Sequence, residues 1–153
     1  MTDITVSPVA HVRGGRAEAK DDHWGEEQAR IVLADTLPAE ALMGLDAFSH
    51  AEILFHFHLV PDEKIETGAR HPRGNPDWPR IGIFAQRGKN RPNRLGVTVC
   101  RIVSVSGREM IVEGLDAIDG TPVIDIKPVM REFLPRGEVR QADWASALMA
   151  QYW

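Results

Sequence analysis

Cysteine is almost absent from this chain of 153 residues, and the single one, Cys100, lies in an alternating apolar run. One cysteine excludes an intramolecular disulfide and a metal cluster built on cysteines. Long apolar runs are also missing: no stretch approaches the roughly 20 residues that cross a bilayer, and the first residues lack a basic-then-apolar signal pattern. The sequence therefore predicts a cytoplasmic protein that is neither exported nor inserted in a membrane.

An overall excess of positive charge is missing too. The net charge is −4 at pH 7, so any binding of a polyanion must depend on a local basic patch. Five cationic side chains fall between residues 87 and 101: Arg87, Lys89, Arg91, Arg94 and Arg101. Acidic residues concentrate elsewhere, as in Asp21, Asp22, Glu26 and Glu27. This segregation indicates a basic loop that could bind RNA.

Short strand-forming segments dominate, and 43% of the residues are hydrophobic, enough for one domain with a sizeable core. We predict strands at 2–12, 29–33, 51–60, 80–85, 96–104, 109–115 and 123–127, helical turns at 38–45 and a long loop at 62–79. Closure into a barrel is the economical way for many short strands to avoid open edges. The predicted fold is mainly β: a small closed antiparallel or mixed β-barrel with short helices and a C-terminal helix.

The segment Arg87-Gly-Lys-Asn-Arg-Pro-Asn-Arg94 interleaves four cations with glycine, proline and asparagine. This composition fixes an irregular backbone and presents fork-like donors, which suits the clamping of phosphates. The alternative is a solvated basic turn, since exposed charges are the norm.

A second polar segment, Asp116-Ala-Ile-Asp-Gly-Thr-Pro-Val-Ile-Asp125, places three carboxylates around a Gly-Thr-Pro turn between strands. Asp116 or Asp119 could accept hydrogen bonds from a ribose or an amino group. The same residues are equally good turn formers, with Asp119 bonding its neighbouring backbone and Gly120 supplying a positive φ. The sequence leaves both interpretations open.

Histidine and tryptophan suggest two further sites. The period of two places His56 and His58 on one face of the strand predicted at 51–60, as two metal ligands would be, although no third ligand has a clear spacing. A cupin-like metal enzyme is therefore one hypothesis. The loop Asp21-Asp-His-Trp-Gly25 suits a cationic ligand, or is a surface loop anchored by its tryptophan.

Several motifs occur together in one order: Asp46-Ala-Phe-Ser-His50, Gly82-Ile-Phe-Ala-Gln-Arg87, Arg91-Pro-Asn93, Leu95-Gly96 and Asp119-Gly-Thr-Pro-Val-Ile-Asp-Ile-Lys-Pro128. Together they resemble the TsaA/YaeB-like family of TrmO-type tRNA methyltransferases. The resemblance implies a homodimeric β-barrel, one domain over residues 1–153 with its core at about 4–128 and a helical extension at about 139–153. It also implies S-adenosylmethionine as cofactor, no metal, and N6-methylation of N6-threonylcarbamoyladenosine next to the tRNA anticodon. A Gly-rich strand-to-helix turn is absent, which agrees with a non-Rossmann site.

The resemblance also implies site residues. Cofactor contacts fall on Asp22, His23, Trp24, His58, Leu59, Arg87, Val97, Glu113, Gly114, Leu115 and Asp116. Catalytic and substrate-orienting roles fall on Arg91, Asn93, Asp119 and Lys127, with tRNA bound through the basic loop 87–101. His58 and Asp119 are candidate bases for the proton that an amine releases.

The sequence departs from the TrmO pattern in places. Arg94 replaces a proline, Val129 replaces a tyrosine, and we expect this chain to lack the C-terminal extension of longer bacterial members. An altered methyl acceptor is therefore one alternative. A non-enzymatic barrel that binds RNA through its basic loop is another.

Overall fold

Eight short strands set the fold, which a computed structural model describes for all residues from Met1 to Trp153. The strands are β1 (Ala10–Arg13), β2 (Gln28–Leu33), β3 (His50–His56), β4 (Ala69–Arg70), β5 (Ile81–Gly82), β6 (Leu95–Ser106), β7 (Glu109–Glu113) and β8 (Pro122–Pro128). Six of them close a barrel in the order β1-β2-β7-β6-β3-β8, and every neighbouring pair is antiparallel. The predicted closed β-barrel is confirmed, without parallel pairs.

Helices are short. The one α-helix, α1 (Asp143–Met149), lies within the predicted C-terminal helix. The 3-10 turns are Ala39–Leu42, Leu45–Ala47, Asp62–Lys64, Pro72–Gly74, Ile83–Ala85, Pro92–Arg94 and Arg131–Phe133. No helix has both the length and the apolar character that crossing a membrane requires.

The barrel interior holds the core, because alternate residues of each strand point inward. Its largest fully buried side chains include Val12, Ile31, Ile53, Phe55 and Met110. Each such side chain contributes about 1.5–3 kcal/mol through removal from water. The ladders shift register between Leu54 and Phe55 and between Ile102 and Ser104, and such irregularities bend strands as a small barrel requires.

Three predicted strands are much shorter than expected. The one predicted at 80–85 is only β5, because the chain enters the 3-10 turn Ile83–Ala85 directly after Gly82. The one predicted at 2–12 begins only at Ala10, and residues 2–8 are exposed. The strand predicted at 51–60 ends at His56, because the Phe57 N–H bonds the Arg94 carbonyl and the Val60 N–H turns back to the Phe57 carbonyl. The predicted alternation therefore stops there: Leu59 is 68% exposed, whereas Val60 is buried.

The antiparallel order gathers particular loops at one end of the barrel. Strands β1, β3 and β7 end there, and β2, β6 and β8 begin there. We call this the site end, and it carries residues 14–27, 57–94 and 114–121. The chain leaves β8 at the opposite end, and Gln151–Trp153 then returns to the site end, where its carbonyls accept the His23 and Trp24 N–H groups.

Candidate functional site

Most residues implied by the family resemblance come together at the site end. They belong to the loop before β2, the turn after β3, the segment before and at the start of β6, and the connection after β7: Asp22, His23, Trp24, His58, Leu59, Arg87, Arg91, Asn93, Val97, Glu113, Gly114, Leu115, Asp116 and Asp119. Lys127 is the exception. It lies near the far end of β8, about 16 Å along the strand from Pro122, is exposed, and pairs with Asp125 at 2.9 Å.

Asp116 is the carboxylate most firmly held at the site end. Its Oδ1 accepts a hydrogen bond of 2.5 Å from the Thr98 hydroxyl, and its Oδ2 accepts one from the Tyr152 hydroxyl. Thr98 is fixed in turn by β6, where its side chain points into the barrel. The carboxylate is thus oriented by two hydroxyl donors, and part of its acceptor capacity remains for a ligand.

The loop before β2 is organised by Arg16. Its guanidinium donates to the carbonyls of Asp22 (2.7 Å) and His23, lies 4.0 Å from the centroid of the Trp24 ring, and pairs with Glu27 at 3.2 Å. Trp24 is 3% exposed, so its buried ring anchors the loop, which confirms the anchoring interpretation. The Leu115 side chain is also buried, with 1% of its surface exposed.

Gln151–Trp153 packs directly on this loop. The His23 N–H donates to the Gln151 carbonyl (2.9 Å), and the Trp24 N–H donates to the Tyr152 carbonyl (2.8 Å). Trp153 lines a cavity of about 260 Å³ together with Gly25, Glu113 and Gly114, among others. Sequence reasoning missed this segment, because an aromatic pair signals burial without indicating what it packs against.

The basic loop differs from the predicted phosphate clamp. Its arginines already donate to acceptors of this chain: Arg87 to the Val97 carbonyl (2.5 Å), Arg91 to the Gln86 carbonyl (2.6 Å), Arg94 to the Val60 carbonyl (2.6 Å) and Arg101 to the Glu113 carboxylate (3.1 Å). Of the five cationic side chains, only that of Lys89 makes no hydrogen bond or ion pair within the chain. The arginines therefore hold the loop in shape, and only their remaining donors are available to a ligand.

Arg70 is a further cation that the sequence did not single out. A Cβ atom on Gly88 would lie 2.7 Å from its Nη2, so Arg70 packs against the basic loop. Its Nε and the Nε of Arg94 are buried without hydrogen-bond partners. The long loop predicted at 62–79 thus folds over the site end and adds positive charge to it.

Backbone strain concentrates at the same end. Four residues other than glycine have positive φ angles, namely His23 (66°), Arg73 (52°), Asn93 (63°) and Arg94 (53°). Such conformations cost free energy and persist where surrounding contacts impose them, which is common at binding sites. Arg73 also pairs with Asp22 at 3.0 Å and so ties the long loop to the loop before β2.

The Asp119 turn has a structural role. Gly120 has a φ of 85°, so the predicted turn is confirmed there. The predicted bond of Asp119 to its neighbouring backbone is wrong, because its Oδ1 accepts the N–H of the distant Gly14 at 2.8 Å. His58 lies beside it, because a Cβ on Gly120 would be 3.7 Å from the His58 Nε2. Burial lowers the pKa of His58, against a hydrogen bond to the His56 backbone that raises it, and the charge of His11 lowers it further.

His56 also has a lowered pKa, through burial first and then the charges of Arg94 and His58. The two histidines do not share a strand face, since His58 lies beyond the end of β3. No group of three or more histidine, cysteine, aspartate or glutamate side chains could hold a metal ion, so the geometry gives the metal-enzyme hypothesis no support.

Comparison with known proteins identifies the family. Residues 19–133 match the model of the tRNA-methyltransferase O N-terminal domain, which is most of the chain. The chain belongs to this family. Its barrel is therefore a tRNA-methyltransferase O N-terminal domain, and the predicted TrmO-type membership is confirmed.

Relatives of this domain carry consistent names. The Escherichia coli (strain K12) tRNA (adenine(37)-N6)-methyltransferase is 38% identical over 124 residues, which cover 76% of this chain and 52% of that protein. A Pseudomonas aeruginosa protein named putative S-adenosylmethionine-dependent methyltransferase RcsF is 33% identical over 97% of this chain and 65% of its own length. The Mus musculus tRNA (adenine(37)-N6)-methyltransferase is 40% identical over 63% of this chain, but only 22% of that protein is covered.

Solved structures of TrmO agree with this family membership. A crystal structure of TrmO superposes with a TM-score of 0.73 at 28% identity, covering 92% of this chain and 61% of that chain. TrmO from Pseudomonas aeruginosa gives 0.72 at 27% identity, over 91% and 62%. The tRNA-methyltransferase O N-terminal domain described here thus spans about two thirds or less of the proteins it matches.

Proposed function

We propose that this protein is an S-adenosylmethionine-dependent tRNA methyltransferase that methylates N6 of the adenosine next to the anticodon. The observation that carries the proposal is that the predicted cofactor residues of this family member, Asp116 among them, lie at one end of the barrel. Relatives named for this activity support it. We further propose that the acceptor is N6-threonylcarbamoyladenosine.

The residues at the site end fit the chemistry of the proposed cofactor. Asp116, Glu113 and Asp22 supply carboxylate acceptors for hydroxyl and amino groups, Arg87 supplies a guanidinium for a carboxylate, and Trp153 supplies an aromatic surface. S-adenosylmethionine supplies a methyl group already activated on a sulfonium, so no protein nucleophile is required. The loops therefore have mainly to orient the two reactants and exclude water, which in favourable cases lowers a barrier by roughly 7–11 kcal/mol.

The segment before β6 would bind the methyl acceptor. Asn93 is exposed and held in a left-handed conformation, and Arg91 fixes the loop through the Gln86 and Gly88 carbonyls. Lys89 and the remaining donors of Arg87 would contact phosphates, which position RNA without reading its sequence. His58, kept neutral by burial, is the better placed proton acceptor, because Asp119 is engaged with the Gly14 backbone. Lys127 is too far along β8 to share this role directly.

We also propose that the protein is a homodimer in the cytoplasm, with residues 1–153 forming one domain. Leu95, Val99 and Val103 lie exposed on the outer side of β6, at 37%, 49% and 39% of their surface. Exposed apolar side chains aligned on one strand favour a protein interface. A second copy would bring two basic loops to one tRNA. Sedimentation analysis of the protein and of Val103→Lys tests this: a dimer that the substitution converts to monomer is expected, and a wild-type monomer contradicts it.

One experiment tests substrate and chemistry together. Purified protein is incubated with isotopically labelled S-adenosylmethionine and with tRNA that carries or lacks the threonylcarbamoyl group, and the digested nucleosides are analysed by mass spectrometry. Label in N6-methylated N6-threonylcarbamoyladenosine alone is expected. Label in another nucleoside would change the acceptor. No label, with no heat on titration of the cofactor, would favour a binding module and overturn the proposal.

A further inference from the structure

The segment Gln151–Trp153 bridges two parts of the proposed cofactor site. Its backbone bonds the loop at His23 and Trp24, while the Tyr152 hydroxyl bonds Asp116. We propose that this segment is an integral wall of the cofactor site, and that Tyr152 is a positioning residue that holds Asp116 toward the cofactor. This inference rests on the proposed function and adds to it a residue outside the barrel.

The arrangement at Asp116 leaves room for a ligand without displacing Tyr152. A carboxylate offers about four lone-pair positions on its two oxygens. Thr98 uses one on Oδ1 and Tyr152 uses one on Oδ2, so one position on each oxygen stays available. Two neighbouring hydroxyls or an amino group could bind there. The two protein donors fix the plane of the carboxylate, so the free positions have a defined direction.

Tyr152 is suited to act only as a donor. It is half-buried, and burial raises its pKa far above the usual 10, with the charge and hydrogen bond of Asp116 adding to the effect. The phenol therefore stays protonated throughout the physiological range. Its ring also packs edge-to-face on Trp153, with centroids 4.8 Å apart, which restrains the direction in which the hydroxyl points.

Gly25 is the point at which the segment meets the loop. A Cβ atom at this position would lie 2.8 Å from the carbonyl carbon of Trp153 and 3.3 Å from its Cα. Backbone atoms cannot yield as a flexible side chain can, so any side chain here pushes Trp153 away. Gly25→Ala therefore disturbs the docking of the segment while leaving Tyr152 and Asp116 chemically intact.

The test uses titration calorimetry of S-adenosylmethionine with the full chain. Tyr152→Phe keeps the ring and removes only the hydroxyl, and we expect about tenfold weaker binding. Asp116→Asn should weaken binding further, and the double variant should bind no more weakly than Asp116→Asn alone, because the hydroxyl acts through that carboxylate. Gly25→Ala should also weaken binding, whereas Gly82→Ala, with no atom near its added Cβ, should not.

A second readout needs no cofactor. Tyr152 is the only tyrosine, so phenolate absorbance in an alkaline titration reports on it alone. Wild type should resist ionisation beyond the range of an ordinary tyrosine, and Asp116→Asn should ionise at lower pH. Ordinary titration in both proteins would contradict the hydrogen bond itself.

The outcomes separate the two proposals. If wild type does not bind S-adenosylmethionine, the proposed function fails and this inference fails with it. If wild type binds and Tyr152→Phe binds equally well, or if losses in the double variant simply add, the positioning role is wrong while the function stands. Tighter binding by Tyr152→Phe or Gly25→Ala would show that the segment competes with the cofactor, which also overturns the proposal.

Discussion

A Cβ atom on Gly96 would lie 2.6 Å from the Cζ of Phe55, closer than real side chains approach. The two residues face each other across the β3–β6 ladder, and Phe57 closes the same space from the other side at 2.8 Å. Phe55 is fully buried and packs edge-to-face on Phe57, with centroids 5.2 Å apart. Glycine at position 96 therefore lets this aromatic pair fill the barrel mouth beside the site end.

Gly96→Ala should lower the free energy of unfolding by about 1–3 kcal/mol, because the ring of Phe55 has no free space to move into. Urea denaturation measures the loss in free energy of unfolding, with one m-value used for wild type and variant. Gly82→Ala is the matched control, since its φ of −56° suits alanine and no atom lies within 4 Å of the added carbon. Equal stability of the two variants would contradict the packing argument.

Arg91→Ala should reduce kcat/KM for tRNA about tenfold or more and leave the affinity for S-adenosylmethionine unchanged. The guanidinium donates to the Gln86 carbonyl at 2.6 Å, and a lost charged hydrogen bond is worth about 1.5–3 kcal/mol. Arg91→Lys should not restore activity, because one ammonium cannot reproduce the fork. Equal loss of tRNA and cofactor binding would show that the two roles are not separate.

Lys89→Ala should behave differently from Arg91→Ala. The Lys89 side chain is exposed and makes no hydrogen bond within the chain, and its carbonyl still accepts the Arg91 N–H after truncation, so the loop stays intact. We expect modestly weaker tRNA binding and a salt dependence reduced by about one phosphate contact. Binding measured across a range of salt concentrations checks this. An unchanged dependence of tRNA affinity on salt concentration would mean that the loop does not reach the RNA backbone.

Stability should fall as the solution becomes mildly acidic. Burial holds the pKa of His56 and His58 below the usual 6.5, so the unfolded chain binds protons more readily than the folded one. Their contribution is fully present above about pH 6.5 and is lost as the pH falls from there through the lower folded values. Urea midpoints between about pH 8 and pH 5 should show this. His58→Asn should make the urea midpoint depend less steeply on pH. An equally steep dependence in this variant would contradict the role of His58.

Cys100 should be inert toward thiol reagents in the native protein. Burial, with the nearby charge of Asp116, raises its pKa to about 12, so only about one molecule in ten thousand carries a thiolate near pH 8. Reaction with Ellman's reagent should be slow when folded and rapid, at one equivalent, in denaturant. Fast reaction without denaturant would show that the β6 interior is accessible.

The barrel itself was largely predictable from the sequence. Alternation of apolar and polar residues located β2, β6, β7 and β8 closely, because half-buried strands impose a period of two. The same rule overextended β3. Nothing local marks His56 as its last residue, since the end is set by the Phe57 N–H bonding Arg94, which is 37 positions away in the chain.

The site was predictable as a set of residues but not as an arrangement. The family resemblance named Asp116 and Arg91, yet composition could not show that the basic-loop arginines bond carbonyls of their own fold. The docking of Tyr152 on Asp116 joins positions 36 residues apart through side chains, and no spacing rule encodes such a contact. The placement of Lys127 away from the others likewise depends on strand register alone.

Residues 1–8 and residue Trp153 differ in how they contact the barrel. Met1–Pro8 is exposed at the end of the barrel opposite the loops, whereas Trp153 is wedged against Gly25. A fluorophore, affinity handle or surface linker attached to residues 1–8 would therefore leave the proposed cofactor and RNA sites untouched. A label on Trp153 would press on its contacts with Gly25, so single-molecule and immobilised assays of this protein should tether it through residues 1–8.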